Sequence, residues 1–247
     1  MKLTVYFTAL GLKPQDIADR PLLVIDVLRT TTSIVAALAN RARAVVPVET
    51  ADEGLRLAQN LEKDAVLLCG ERRMERIPGF ALGNSPLEMA EEVVAGKTLV
   101  MATTNGTPAI VAAEPAAPVL IGAVTNFSAA VEGARQAFEA AGEIAILCAG
   151  RERQFALEDA YLAGRFAQAL IPGAQRRAAE LNDAAIAALE LVRRYGDKWK
   201  RAISASTAAH ALKSAGFRAD LIAATEADVH PIVPLYADRR VTFTEQA

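Results

Sequence analysis

The sequence predicts an α/β protein of three layers, α/β/α, around a mostly parallel sheet. Apolar runs of strand length are continuous rather than alternating, as strands buried on both faces require. Alanine-rich segments of helical length separate them, the pattern of βαβ units. Hydrophobic residues make up 52% of the 247 positions against 23% charged, which excludes disorder. A chain this long can bury roughly 70–75% of its unfolded surface, so it needs neither disulfide nor structural metal to fold.

The elements follow in order. In the opening KLTVYFTALGL, Leu3, Val5 and Phe7 alternate with Thr4, Tyr6 and Thr8 and no small-residue cleavage pattern follows, so it reads as a strand and not as a secretory leader. Further strands are expected at Leu22–Val27, Ala44–Val48, Ala65–Cys69, Thr98–Ala102, Val119–Gly122 and Ile144–Cys148. Thr50 with Glu53 and Ser85 with Glu88 have the spacing of a capping box, and Pro86 and Pro108 follow Ser85 and Thr107 in the cap-then-proline order of a first turn. TTSIVAAL at Thr31–Leu38 resembles GTPAIVAAE at Gly106–Glu114, and AVLLCGERR resembles IAILCAGRER. The single unit 1–247 is therefore expected to contain an internal duplication of a βαβ unit, residues 22–72 and 98–153. After Tyr161 a mainly helical segment, 162–247, is expected, with helices at Asp183–Tyr195 and about Ser206–Lys213 and an edge strand near Val241–Phe243. Packing, and contact with a second copy in a homodimer, is the role expected of it.

A formal net charge of −2 gives no reason to expect nucleic acid or an anionic membrane as partner. No apolar run reaches the ~18 residues of a membrane span. The two cysteines, Cys69 and Cys148, sit in apolar strand contexts, so a reduced, cytoplasmic protein is expected.

Chemistry appears where the apolar strands stop. Asp26 ends LLVID and is followed by Arg29 and Thr30–Thr32; Glu71 and Arg72 follow Cys69; Thr104, Asn105 and Gly106 follow LVMA; Arg151 and Arg153 follow Cys148. In a parallel sheet these ends share one edge beside helix N-termini, whose free N–H groups attract phosphate. Carboxylates such as Asp26 and Glu71 with arginines suit Mg²⁺ and a multiply charged anion. Each has a plainer reading: Asp26 as a helix cap, Glu71 and Arg72 as a solvated pair, Arg151 as a loop arginine. The segment Ile77–Pro86, with Phe80, Asn84 and Ser85, reads as a loop that supplies a wall and backbone donors for a ligand.

Several phosphate chemistries are excluded. Gly96-Lys97-Thr98 ends like a P-loop, but Glu91 stands where its first glycine belongs; Asp26-x-Leu28 lacks the second acid of aspartate-nucleophile phosphatases. Glu75 and Gln154 stand where a cysteine phosphatase has arginine, and His210 and His230 lie far from the cluster in sequence.

In VIDVLRTTTSIVAAL, LLCGERR with IPGFALGNSP, ATTNGTPAI and LCAGRERQFALEDAYLAG, the chain resembles the 2-phosphosulfolactate phosphatases (ComB family), which contribute to coenzyme M biosynthesis in methanogens and have many bacterial relatives. The resemblance covers most of residues 20–165. It implies Mg²⁺-dependent hydrolysis of (R)-2-phospho-3-sulfolactate to 3-sulfolactate and phosphate. On that reading Asp26, Arg29, Glu71 and Asp159 are the catalytic candidates, with Asp26, Glu71 and Asp159 as metal ligands. Arg72, Asn84, Ser85, Thr104, Asn105, Gly106 and Arg151 are the candidates for binding the small anionic phosphorylated substrate. Another 2-phosphohydroxy acid or phosphate monoester as substrate, or a non-catalytic anion-binding module, are the alternatives.

Overall fold

In the computed structural model, which describes residues 1–173 and 178–243, the chain opens with β1 (Lys2–Tyr6), α1 (Pro14–Ile17), β2 (Leu22–Ile25), α2 (Thr30–Ala39), β3 (Ala44–Val48), α3 (Ala51–Gln59), β4 (Val66–Arg72) and β5 (Glu75–Arg76). It continues through α4 (Glu91–Val94), β6 (Thr98–Ala102), α5 (Gly106–Ala112), β7 (Val119–Gly122), α6 (Phe127–Ala141), β8 (Glu143–Cys148) and α7 (Leu157–Leu170). The final part holds β9 (Glu180–Leu181), α8 (Asp183–Tyr195), α9 (Trp199–Ser204), α10 (Thr207–Ser214), α11 (Arg218–Ala223), β10 (Leu235–Ala237) and β11 (Arg240–Thr242). The strands expected between Leu22 and Cys148 are present with ends within three residues of those expected, the opening strand stops at Tyr6, and α8 has the expected bounds. Within the expected helical segment 162–247, residues 174–177 and 244–247 lie outside the described residues.

All strands join one sheet in the order β5-β4-β6-β3-β11-β10-β7-β2-β8-β1-β9. Two parallel sets, β4-β6-β3 and β7-β2-β8-β1-β9, make up most of it. The hairpin β10–β11 lies between them, antiparallel to β7 on one side and to β3 on the other. This corrects the edge strand expected at Val241–Phe243: the segment is central, and Val241 is fully buried. Its turn is Asp238-Arg239, both at positive φ (50° and 60°), the backbone of a two-residue hairpin loop without the usual glycine.

The two segments read as repeats contribute complementary strands. Exchanging β2 with β6, β3 with β7 and β4 with β8 turns β4-β6-β3 into β8-β2-β7, which is the order of the other set read from its far side. Each segment thus starts in one set and crosses to the other, carried by α2 or α5, and these crossover helices pack together. A Cβ on Gly106, at the start of α5, would lie 2.3 Å from both Asp26 Oδ2 and Thr30 Cβ, so the ends of β2 and β6 meet.

Burial on both faces explains the continuous apolar runs. In β2, Leu23 and Ile25 pack with Phe138, Phe166 and Tyr161 from α6 and α7, while Leu22 and Val24 pack with Ile34 and Ile110 from α2 and α5. A third core under β3 and β6 contains Val48, Val100, Ile77 and Phe80. Phe80 is therefore a core residue and not the ligand wall expected from its loop. Thr50 caps α3 by accepting Glu53 N–H at 3.1 Å, but Glu53 accepts the N–H of Glu49 and not that of Thr50, so the reciprocal bond of the expected box is displaced by one residue. Ser85 starts a single 3₁₀ turn, Pro86–Glu88, and not a longer helix; Glu88 bonds Gly83 N–H, so the box does not close. Thr107 lies inside α5 and is not its cap, because its hydroxyl bridges Val48 O and Thr103 N–H.

Candidate active site

The ends of β2, β4, β6 and β8 open into one cavity of about 300 Å³. The turn after β2 supplies Asp26, Leu28, Arg29 and Thr30; the tip after β4 supplies Glu71, Arg73 and Met74; the turn after β6 supplies Thr104 and Asn105. Gly150, Arg151 and Glu152 come from the β8–α7 connection, Glu158 from the first turn of α7, Asn84 from the loop before α4, and Ala208 and Leu212 from α10. The strand ends converge because the parallel strands form two sets joined by their crossovers, rather than one continuous edge.

The structure brings seven of the expected residues to this cavity: Asp26, Arg29, Glu71, Asn84, Thr104, Asn105 and Arg151. Four do not line it. Arg72 turns away to the carbonyls of Glu71 and Glu49, and Arg73, at the tip of the β4–β5 hairpin, takes the place expected of it. Ser85 donates to Asp220 Oδ1 at 2.7 Å and accepts from Leu87 N–H. Gly106 supports the site by giving Asp26 and Thr30 room. Asp159 accepts Val27 N–H at 2.9 Å and Gly150 N–H at 3.1 Å, so both of its oxygens tie loops together. Glu71, although at the wall, is used in the same way, accepting Thr104 N–H and Met74 N–H at 2.8 Å each. A further tie runs from Glu152 N–H to Asn105 Oδ1 at 2.8 Å.

Of the remaining cavity carboxylates Glu152 is exposed, and Asp26 and Glu158 are the buried pair available for chemistry. Asp26, 7% exposed, has its pKa pushed up to about 7, mainly by burial and further by the charges of Glu71 and Glu158, against hydrogen bonds from the Thr30 hydroxyl and N–H. Glu158 is also raised by burial, opposed by its own N–H, the Ser206 hydroxyl and Arg151. Sequence reasoning missed Glu158. Glu158 and Asp159 are neighbours in the first turn of α7, about 100° apart around the helix, and nothing in LEDAY says which of them faces the cavity. Met74, Ala208 and Leu212 carried no chemical signal either.

Among the described residues no three His, Cys, Asp or Glu side chains converge as metal ligands. The expected trio of Asp26, Glu71 and Asp159 is not among such groups, and both oxygens of the latter two accept backbone N–H groups. Asp26 and Glu158 still fit Mg²⁺, which commonly takes one or two carboxylates and fills its octahedron with water and substrate phosphate. Two buried polar atoms at the cavity residues lack partners, Arg151 Nη1 and Asn84 Oδ1. A donor and an acceptor buried without partners cost about 1–3 kcal/mol each unless a ligand or water satisfies them. Arg151→Lys keeps the charge but loses the planar fork. It is expected to lower kcat/KM about tenfold or more and to leave the thermal midpoint within about 2 °C, as steady-state kinetics and calorimetry will show.

Comparison with known proteins decides the family. A profile of the 2-phosphosulpholactate phosphatase family matches residues 6–239. The chain belongs to this family. Similar relatives include a probable 2-phosphosulfolactate phosphatase of Symbiobacterium thermophilum, 36% identical over 94% of this chain and 97% of its own. Those of Thermotoga maritima and Clostridium acetobutylicum, also described as probable 2-phosphosulfolactate phosphatases, are 38% and 33% identical over 87% and 98% of this chain and 88% and 100% of their own. Full-length coverage means that the family likeness includes the C-terminal helices that close the cavity. No described helix is long and apolar enough to cross a membrane.

Proposed function

We propose that this protein is a Mg²⁺-dependent phosphatase whose substrate is (R)-2-phospho-3-sulfolactate, released as 3-sulfolactate and inorganic phosphate. The observation that carries the reading is one cavity that joins the carboxylates Asp26 and Glu158 to Arg29, Arg73 and Arg151, in a chain of this family. The substrate bears phosphate, carboxylate and sulfonate, and three guanidinium groups match three anionic groups where neutral donors would not.

Arg151, with Nη1 open, takes an anionic oxygen, and Arg73 and Arg29 face the remaining charge. Asn84 Oδ1 accepts from a water or a hydroxyl, a role the fully ionised substrate, which has no donor, leaves to water. Leu28, Met74, Ala208 and Leu212 form the apolar part of the wall and limit solvent, which strengthens charge interactions inside. Asp26 and Glu158 would hold Mg²⁺, and the ion supplies charge neutralisation at the phosphoryl oxygens and an acidified water.

The test is phosphate release from a series of 2-phosphohydroxy acids. Hydrolysis is expected to be fastest with the 3-sulfonate, to stop in EDTA and to return with Mg²⁺ or Mn²⁺. Full activity in chelator sinks the metal assignment, and a better substrate without a second strong acid sinks the substrate assignment.

A further inference from the structure

Arg29 is held from several sides, largely by the C-terminal helices. Its Nη1 lies 2.5 Å from Asp220 Oδ2, its Nη2 donates to Met74 O at 3.1 Å, and its guanidinium carbon is 4.5 Å from the centroid of the Phe217 ring. The second oxygen of Asp220 accepts the Ser85 hydroxyl at 2.7 Å. Arg29 and Asp220 are each 3% exposed. Burying an ion pair costs desolvation that an apolar pair of the same volume avoids, so stability does not explain this arrangement. It does give the guanidinium one orientation at the cavity wall, where Arg29 stands beside Asp26 and Thr30.

We propose that Asp220 is a positioning residue that fixes Arg29 for contact with the substrate's phosphate, making α11 part of the active site rather than packing alone. Ser85 supports the Asp220 carboxylate, and the aromatic face of Phe217 covers the guanidinium. The proposal rests on the phosphatase reading for its substrate, while its anion-binding content can be measured without turnover.

Inorganic phosphate is the probe. Asp220→Asn keeps the shape and one hydrogen bond but removes the charge. It is expected to weaken phosphate binding about tenfold in titration calorimetry and to lower kcat/KM by roughly 10–10²-fold, the scale of a small misplacement of a reacting or charged group. Because Asp220 acts through Arg29, adding Asp220→Asn to Arg29→Ala should cost little more than Arg29→Ala alone, whereas a merely structural role would add its full cost. Ser85→Ala leaves the ion pair in place and should shift phosphate affinity several-fold in the same direction, which keeps the proposal testable if Asp220→Asn fails to fold. Wild-type phosphate affinity in both single variants, full additivity on Arg29→Ala, or a wild type that binds no phosphate each overturns it. A wild type that binds phosphate in an Asp220-dependent way but hydrolyses no phosphomonoester overturns the phosphatase reading and leaves this one standing.

Discussion

Asp26→Asn is expected to fold, to be more stable than the wild type at pH 8 in chelator, and to release phosphate about 10²-fold more slowly or worse. The two effects share a cause. Burial raises the Asp26 pKa from 3.8 to about 7, so holding it ionised costs folding free energy. Its folded pKa lies above the unfolded value, and the folded state therefore binds the proton more tightly between those limits. Wild-type stability from this group falls as pH rises from about 4 to about 7 and is level beyond. Asparagine has no proton to lose. The variant's advantage should grow through that window to a few kcal/mol at pH 8, readable in denaturant melts at several pH values. For the same reason, wild-type kcat/KM at low Mg²⁺ should fall as pH drops through about 7, where Asp26 takes up its proton. A variant that is equally stable and fully active would show Asp26 to be no more than a helix cap, since Asn caps as well as Asp.

Gly106→Ala is expected to cost about 1–3 kcal/mol of stability and about 10²-fold in kcat/KM. The added Cβ would stand 2.3 Å from Asp26 Oδ2, Thr30 Cβ and Thr30 Oγ1, closer than real contacts allow. Thr30 Cβ is attached directly to the α2 backbone and cannot swing aside. Asp26 and Thr30 are 7% and 1% exposed, and the Thr30 hydroxyl is engaged with Thr103 Oγ1 at 3.2 Å. The starts of α2 and α5 must therefore separate and carry Asp26 with them. Gly54→Ala in α3 is the control: its Cβ would meet only side-chain atoms of Val48, Val100 and Leu68 at 3.4–3.6 Å, and alanine favours a helix by about 1 kcal/mol over glycine. That variant should be as active as the wild type and no less stable. Equal behaviour of the two substitutions in melts and kinetics would remove the argument that close approach of the crossovers builds the site.

The sequence alone made the strands of the two parallel sets legible, because segments such as Leu22–Ile25 are apolar at every position, too short for a helix and separated by helical lengths, as strands buried on both faces are. It also determined that polar residues cluster at the ends of those strands, since the break from LLVI to Asp26 is local and visible. The place of β11 in the middle of the sheet came from tertiary structure alone: Val241–Phe243 reads as an edge, and the gap between β3 and β7 that the hairpin fills does not exist in one dimension. The same holds for the carboxylates. Asp26, Glu71, Glu158 and Asp159 are chemically alike in a string, and what separates Asp26 and Glu158 from the other two is that Glu71 and Asp159 have both oxygens tied to backbone N–H groups. Glu71 and Asp159 are bound by N–H groups at 2.8–3.1 Å from turns distant in sequence or set by loop geometry. Asp220 pairs with Arg29 across 191 positions, and no periodicity or local motif encodes an ion pair of that separation. Local pattern fixes what each segment buries, whereas which buried charge is left free depends on donors that only folding brings within hydrogen-bonding distance.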